Sequence, residues 1–240
     1  MLLYSLLLKT LFMELKALLF DLYGTTAYLE NPVSGRFVSD FLTSRGYEVY
    51  PQALDAAWHY VSFIDYPKYG FRSWKTWLKQ ICKRLDVKMD EETIRDWSRF
   101  YKDQNWRLYP DVAEALARAK KLGLKTAIVT SIPKFIYTKA LKPIKYKVDL
   151  LVDAFTFHCE KSNPKIYIET LKALNVKPEQ AVMVGDEEDV DILIPKRLGM
   201  HTILLNRNQK QSLTSLKAKP DAIVENLKEA AEIVKKWIET

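Results

Sequence analysis

The chain has 240 residues, 48% of them apolar, enough to bury one substantial core and long enough for that core to carry a smaller inserted domain. Its formal net charge of +7 comes from lysines spread along the chain and mixed with acids, with no repeated basic and aromatic pattern, which argues against a nucleic-acid partner. The excess reads as solvated surface with a mild attraction for anionic substrates. Cys82 and Cys159 have neither metal-site spacing nor the density of a disulfide scaffold, which points to a reducing, cytoplasmic setting.

Leu2 to Leu8 is almost continuously apolar but too short to span a bilayer, and it lacks the basic lead and small-residue cleavage site of a secretory signal, so no membrane association is expected. Met13 offers a restart just ahead of the first good strand, so residues 1–12 are read as an N-terminal extension, either an upstream start or a packed segment. Ala17 to Phe20 is an apolar run ending at Asp21, as expected of a buried parallel strand opening into a loop. Residues 27–108 break with this pattern, reading as helical segments begun by Asn31-Pro32, Ser73 and Asp90. Five of the six tryptophans fall there, at Trp58, Trp74, Trp77, Trp97 and Trp106. At helical spacing they are expected mainly as core, with pocket lining as the alternative.

Beyond residue 108 strands and helices alternate. Helices are expected over Asp111 to Lys121, closed by Gly123, over Pro164 to Leu174, and over Val190 to Leu198, closed by Gly199. Strands are expected at Thr126 to Val129, Ala181 to Val184 and Thr202 to Leu205, with a weaker one at Ala154 to Phe157. Ala222 to Val224 and then Leu227 to Ile238, behind Asn226, form a last unit. The pattern predicts an α/β fold with a doubly wound parallel sheet. The domain reading is a core of residues 13–26 and 109–240 with a helical cap at 27–108.

In such a sheet ligands bind beyond the carboxyl ends of the strands, where Asp21, Thr130 and Asp186 all fall. A carboxylate after a buried strand can attack a substrate and form an ester, helped by nearby donors such as Lys161 and by a divalent cation. Taken singly, Asp21 and Asp186 could equally cap helices, Thr130 could be a turn hydroxyl, Asp191 a helix-start charge and Lys161 a surface cation.

The order of four segments resembles the haloacid dehalogenase (HAD) superfamily: D-L-Y-G-T-T at Asp21 to Thr26, Thr130-Ser131, K-S-N-P-K-I-Y from Lys161, and G-D-E-E-D-V-D from Gly185. The resemblance implies a hydrolase in which Asp21 is the nucleophile, Thr130 orients the transferred group and Lys161 neutralises charge. It further implies Mg²⁺ held by Asp21, Asp186 and the backbone carbonyl of Tyr23, with Asp191 supporting the metal shell. Tyr23 and Ser131 would face a small anionic substrate.

Two features pull apart. Phosphatases resembling this pattern place a second aspartate where Tyr23 stands, whereas the dehalogenases proper often read D-x-Y-G-T. The dehalogenases resemble S-S-N at the fourth motif and work without metal, while Gly185-Asp186 with Asp191 resembles the phosphatase arrangement. They also use a cap arginine, for which Arg36 is the nearest candidate, and an asparagine where Ser131 stands. The expectation is a Mg²⁺-dependent, phosphatase-like hydrolase suited to leaving groups that depart as stable anions. The alternatives are a metal-independent 2-haloacid dehalogenase and a non-catalytic ligand-binding member. Nothing in the sequence specifies an oligomeric state.

Overall fold

The computed structural model describes residues 14–207 and 216–239. The extension read over residues 1–12 lies outside the described residues. Strand β1 (Ala17–Phe20) has four fully buried apolar residues and pairs in parallel with both β4 (Lys125–Val129) and β6 (Ala181–Gly185). Strand β5 (Leu150–Val152) lies outside β4, and β7 (His201–Leu205) and β8 (Ala222–Val224) continue beyond β6. Among the described residues this gives a six-stranded parallel sheet of order β5-β4-β1-β6-β7-β8. An apolar run with no polar alternation suits a strand covered on both faces. One face packs Leu18, Phe20, Val182 and Ile203 against flanking helices, and the other packs Leu19, Ala127 and Met183 against Ile166 and Tyr167.

Between β1 and β4 run β2 (Ala27–Leu29), helices α1 (Gly35–Ser44), α2 (Pro51–Tyr60), α3 (Tyr66–Tyr69), α4 (Trp74–Arg84) and α5 (Glu91–Lys102), then β3 (Trp106–Leu108) and helix α6 (Val112–Lys121). Ser73 and Asp90 cap α4 and α5 through their side chains, as expected. The expected start at Asn31-Pro32 moves downstream, because the Ser34 side chain accepts from the Phe37 amide and caps α1. The ends of the segment read as helical instead form an antiparallel ribbon, β2 with β3. The helices between them bury their own cluster, in which Trp74, Trp77 and Trp97 are core residues.

After β4 come α7 (Lys134–Leu141), α8 (Lys165–Leu174), α9 (Ile194–Arg197) and, at the end, α10 (Leu227–Glu239), whose start is capped by the Asn226 side chain at 3.0 Å from the Glu229 amide. The structure differs from two expectations. The strand expected over Ala154 to Phe157 is β5, four residues earlier; residues 154–157 form a turn that Asp153 holds by accepting from the Thr156 amide and hydroxyl at 3.0 and 2.8 Å. The helix expected over Val190 to Leu198 is a wide π-type turn, Glu188–Leu193, and is α-helical only as α9. Pro195 has no amide hydrogen to complete a regular turn, and the Asp191 side chain is drawn inward.

Candidate active site

The site lies at the carboxyl end of the three central strands. The Asp21 amide donates to the Val184 carbonyl at 2.9 Å, so β6 fixes the backbone at the point where β1 ends. The loop that follows turns back at Gly24, with φ of +86°, where a Cβ would stand 2.2 Å from Asp186 Oδ2; both the backbone conformation and the close approach require glycine. Within that loop the Thr26 hydroxyl donates to the Asp21 carbonyl at 3.0 Å, and the Thr25 hydroxyl donates to Asp186 Oδ1 at 2.9 Å.

Lys161 is 3% exposed and is therefore no surface cation: its ammonium bonds Asp21 Oδ1 and lies 2.7 Å from Asp191 Oδ1. Asp191 is fully buried and also accepts from the Glu187 amide at 3.1 Å. Gly185 makes this possible, since a Cβ there would stand 2.2 Å from the Asp191 carboxyl. Thr130 directly follows β4, its amide donating to the Val152 carbonyl at 2.9 Å and its hydroxyl accepting from the Ile132 amide at 3.1 Å. Thr130, Ser131, Asp21, Lys161 and Asp186 share one cavity of about 570 Å³ with Tyr23, which is 46% exposed and meets Trp106 edge-on at 5.8 Å. Arg36 is exposed and is not among the lining residues, so it is not placed to receive a substrate carboxylate or halide.

Carboxylate oxygens of Asp21, Asp186 and Asp191 lie within 4.8 Å of one another. Burial and the charge of Asp21 push the Asp186 carboxyl up to about 6. Burial lifts Asp191 to about 8, Lys161 opposing and Asp21 adding to the rise. Burial works against the Lys161 ammonium, but Asp191 and Asp21 outweigh it and hold the charge. Burial and crowding of three carboxyl groups around one ammonium disfavour their ionised forms, and a hard divalent cation with oxygen ligands would restore them, so this donor set fits Mg²⁺.

Three contributors went unseen in the sequence. Thr25 orients Asp186. Arg207, two residues past β7, donates to both Asp111 oxygens at 3.0 Å and to the Thr25 carbonyl at 2.8 Å, bracing the loop after β1. Glu160 is buried beside Lys161, with one carboxylate oxygen lacking a partner. Only Thr25 had a signal, its place in the first motif.

Residues 15–199 match the haloacid dehalogenase-like hydrolase family, and the chain belongs to it. It is thus a hydrolase, with relatives of both phosphatase and dehalogenase name. A putative pyrophosphatase PpaX from Caldanaerobacter subterraneus subsp. tengcongensis is 27% identical, covering 93% of this chain and 96% of the relative. A glyceraldehyde 3-phosphate phosphatase from Methanopyrus kandleri is 38% identical over 114 residues, 44% of this chain and 46% of that one. Among solved structures, a HAD phosphatase from Thermococcus onnurineus has a TM-score of 0.64 at 24% identity, over 92% of this chain and 98% of that one. A 2-haloacid dehalogenase from Pseudomonas syringae pv. tomato has a TM-score of 0.68 at 18% identity, over 93% and 99%. Both structures share the fold.

Proposed function

We propose that the chain is a Mg²⁺-dependent phosphatase acting on small phosphorylated substrates, with Asp21 as nucleophile. The observation that carries this reading is the carboxylate group of Asp21, Asp186 and Asp191 around the buried Lys161 ammonium. A halide-displacing site has no need of so much negative charge. An Asp21 oxygen bonds phosphorus as the bond to the leaving oxygen breaks and its electron pair departs with the leaving group. Water then attacks the aspartyl phosphate, releasing orthophosphate and restoring the carboxylate. Lys161 offsets charge on Asp21 and on the transferring group, and Thr130 and Ser131 supply hydroxyls to it. Asp21, Asp186 and the Tyr23 carbonyl would hold Mg²⁺, with Asp191 behind them, and the ion supplies charge neutralisation and orientation of the phosphoryl oxygens.

Residues 27–108 serve in this reading as a cap over a core of 13–26 and 109–240. Cys82 and Cys159 are free and buried, which supports a cytoplasmic placement. Among the described residues no helix is long and apolar enough to cross a membrane.

Dehalogenation of 2-haloacids is the second reading, favoured by Tyr23 at the acid position. One experiment separates them: phosphate release from aryl and acyl phosphates, and halide release from 2-haloacids, with Mg²⁺ and with EDTA. Phosphate release should require Mg²⁺ and vanish in Asp21→Asn, with circular dichroism unchanged. Halide release that survives both EDTA and Asp186→Ala, without phosphatase activity, would reverse the assignment.

A further inference from the structure

The cavity walls carry information about the leaving group that the carboxylate cluster does not. Away from Asp21 the lining is aromatic, with Trp58, Trp74, Trp77, Tyr101 and Phe63 from the helical segment and Trp106 from the ribbon. These rings hold one another in place. Trp74 stacks on Tyr101 at 4.7 Å and 20°, and Trp58 lies 5.0 Å from Tyr101 and 6.1 Å from Trp74. Trp106 is fixed by the edge of Tyr23. Trp74 and Tyr101 are themselves buried and serve as backing, while the half-buried Trp58 and Trp106 keep surface open to the cavity; flat surfaces already immobilised by their neighbours take a planar ring at little entropic cost.

Charge points the same way. Among the described residues that line the cavity, Lys161 is the one lysine or arginine, and its ammonium is engaged by Asp21 and Asp191. The other polar lining groups outside the carboxylate cluster include Asp55, His59, Ser62, Gln104 and Glu187; the His59 ring is engaged through Nδ1 by the Asp55 carbonyl at 2.7 Å, and the Asp55 and Glu187 carboxylates would repel a second anionic group on the substrate. Among the described lining residues a pyrophosphate or a carboxylated phosphate ester therefore finds no lysine or arginine besides the one at its transferred phosphoryl group. Tyr23 adds a chemical argument, since it stands as wall where a carboxylic acid would protonate a departing alkoxide, and a phenoxide leaves without that help.

Resting on the phosphatase reading above, we propose that the substrate class is the monophosphate ester of an uncharged phenol, its ring seated against the half-buried Trp58 and Trp106. The test must separate ring recognition from leaving-group acidity. Phenyl phosphate is compared, with Mg²⁺, against a fluorinated alkyl phosphate whose alcohol is about as acidic as phenol, and phenylphosphonate is compared with methylphosphonate as an inhibitor. The aryl ester should be favoured in kcat/KM by about tenfold or more, mostly through KM, and phenylphosphonate should inhibit about tenfold more tightly. Trp58→Leu, at a half-buried position, should collapse both ratios toward one; the ratio is the readout, so a general loss of rate does not obscure it. Both esters hydrolysed equally, with the two phosphonates equipotent, would overturn the aromatic assignment and leave the phosphatase standing. No turnover of either ester would overturn the phosphatase reading, and the aromatic substrate with it.

Discussion

Tyr23 concentrates the difference between this chain and a phosphatase acting on alkyl esters. Its ring lines the cavity against Trp106, close to the departing atom by position in the motif but without a carboxyl to give a proton. Tyr23→Asp should raise hydrolysis of alkyl phosphates about tenfold or more while aryl and acyl phosphates gain little, because only a poor leaving group needs the proton. Paired kinetics on the three substrate types measure this, with thermal unfolding alongside to detect loss of the Trp106 contact. A folded variant with no selective gain on alkyl esters would mean that the missing acid is not what limits them. Glu160 offers a second residue-scale test. Burial pushes its carboxyl up to about 7 from an ordinary 4.5, with the Ser131 hydroxyl and the Lys161 amide pulling back. Between those values the native chain binds more protons than the unfolded one, so stability falls as pH rises through that window. Glu160→Gln should be close to neutral at pH 4 and more stable than the parent at pH 8, by on the order of 2 to 3 kcal/mol. Urea unfolding at both pH values checks it, and a pH-independent difference would exclude the burial argument.

At the scale of elements, the turn after β6 shows how tightly site and backbone are joined. Gly185 has ordinary φ, so its necessity lies wholly in the closeness of Asp191. Gly185→Ala should cost about 1–3 kcal/mol by overpacking and should also cut turnover at least a hundredfold, since relief comes only by moving Asp191 away from Lys161. Equal loss of stability without loss of rate would show that Asp191 is not needed where it stands. Most strands were legible because a run such as Ala181 to Val184, buried on both faces, carries its own signature in four or five letters. β5 was misplaced because Ala154 to Phe157 is apolar at every position but Thr156, and the pairing of Asp153 with Thr156 makes it turn. The ribbon escaped notice because three-residue strands paired across nearly the whole helical segment leave no local period. The motifs named Asp21, Lys161 and Asp186, but no short-range pattern reports an arginine that reaches Thr25 from residue 207.

For the molecule as a whole, the helical segment is anchored to the core at a second place besides the ribbon. Tyr66 donates its hydroxyl to Asp153 at 2.5 Å, and the same Asp153 oxygen accepts from the Lys134 amide at 2.9 Å. Close by, the His158 ring bonds the Pro67 carbonyl at 2.9 Å and Phe155 packs over Gly70. Burial and Asp153 raise the Tyr66 phenol far above its ordinary range, so this donor stays protonated at any working pH. Tyr66→Phe should lower stability by about 1.5–3 kcal/mol, the usual worth of a hydrogen bond to a charged group, and should speed amide exchange over residues 61–69. Unchanged exchange there would show that the ribbon alone holds the segment.

The place of β1 at the centre of the sheet has a consequence for the nascent chain. It leaves the ribosome well before its partner strands, which begin at Lys125 and Ala181. At about 5–20 residues per second, its apolar edges wait on the order of ten seconds or more for β6 to be made. In that interval the helices of residues 35–102 can gather around their own tryptophans, whereas Asp21 cannot meet Lys161 or Asp186. Enzymatic activity regained on refolding would therefore report the closure of the central sheet, and should lag behind the recovery of helical signal.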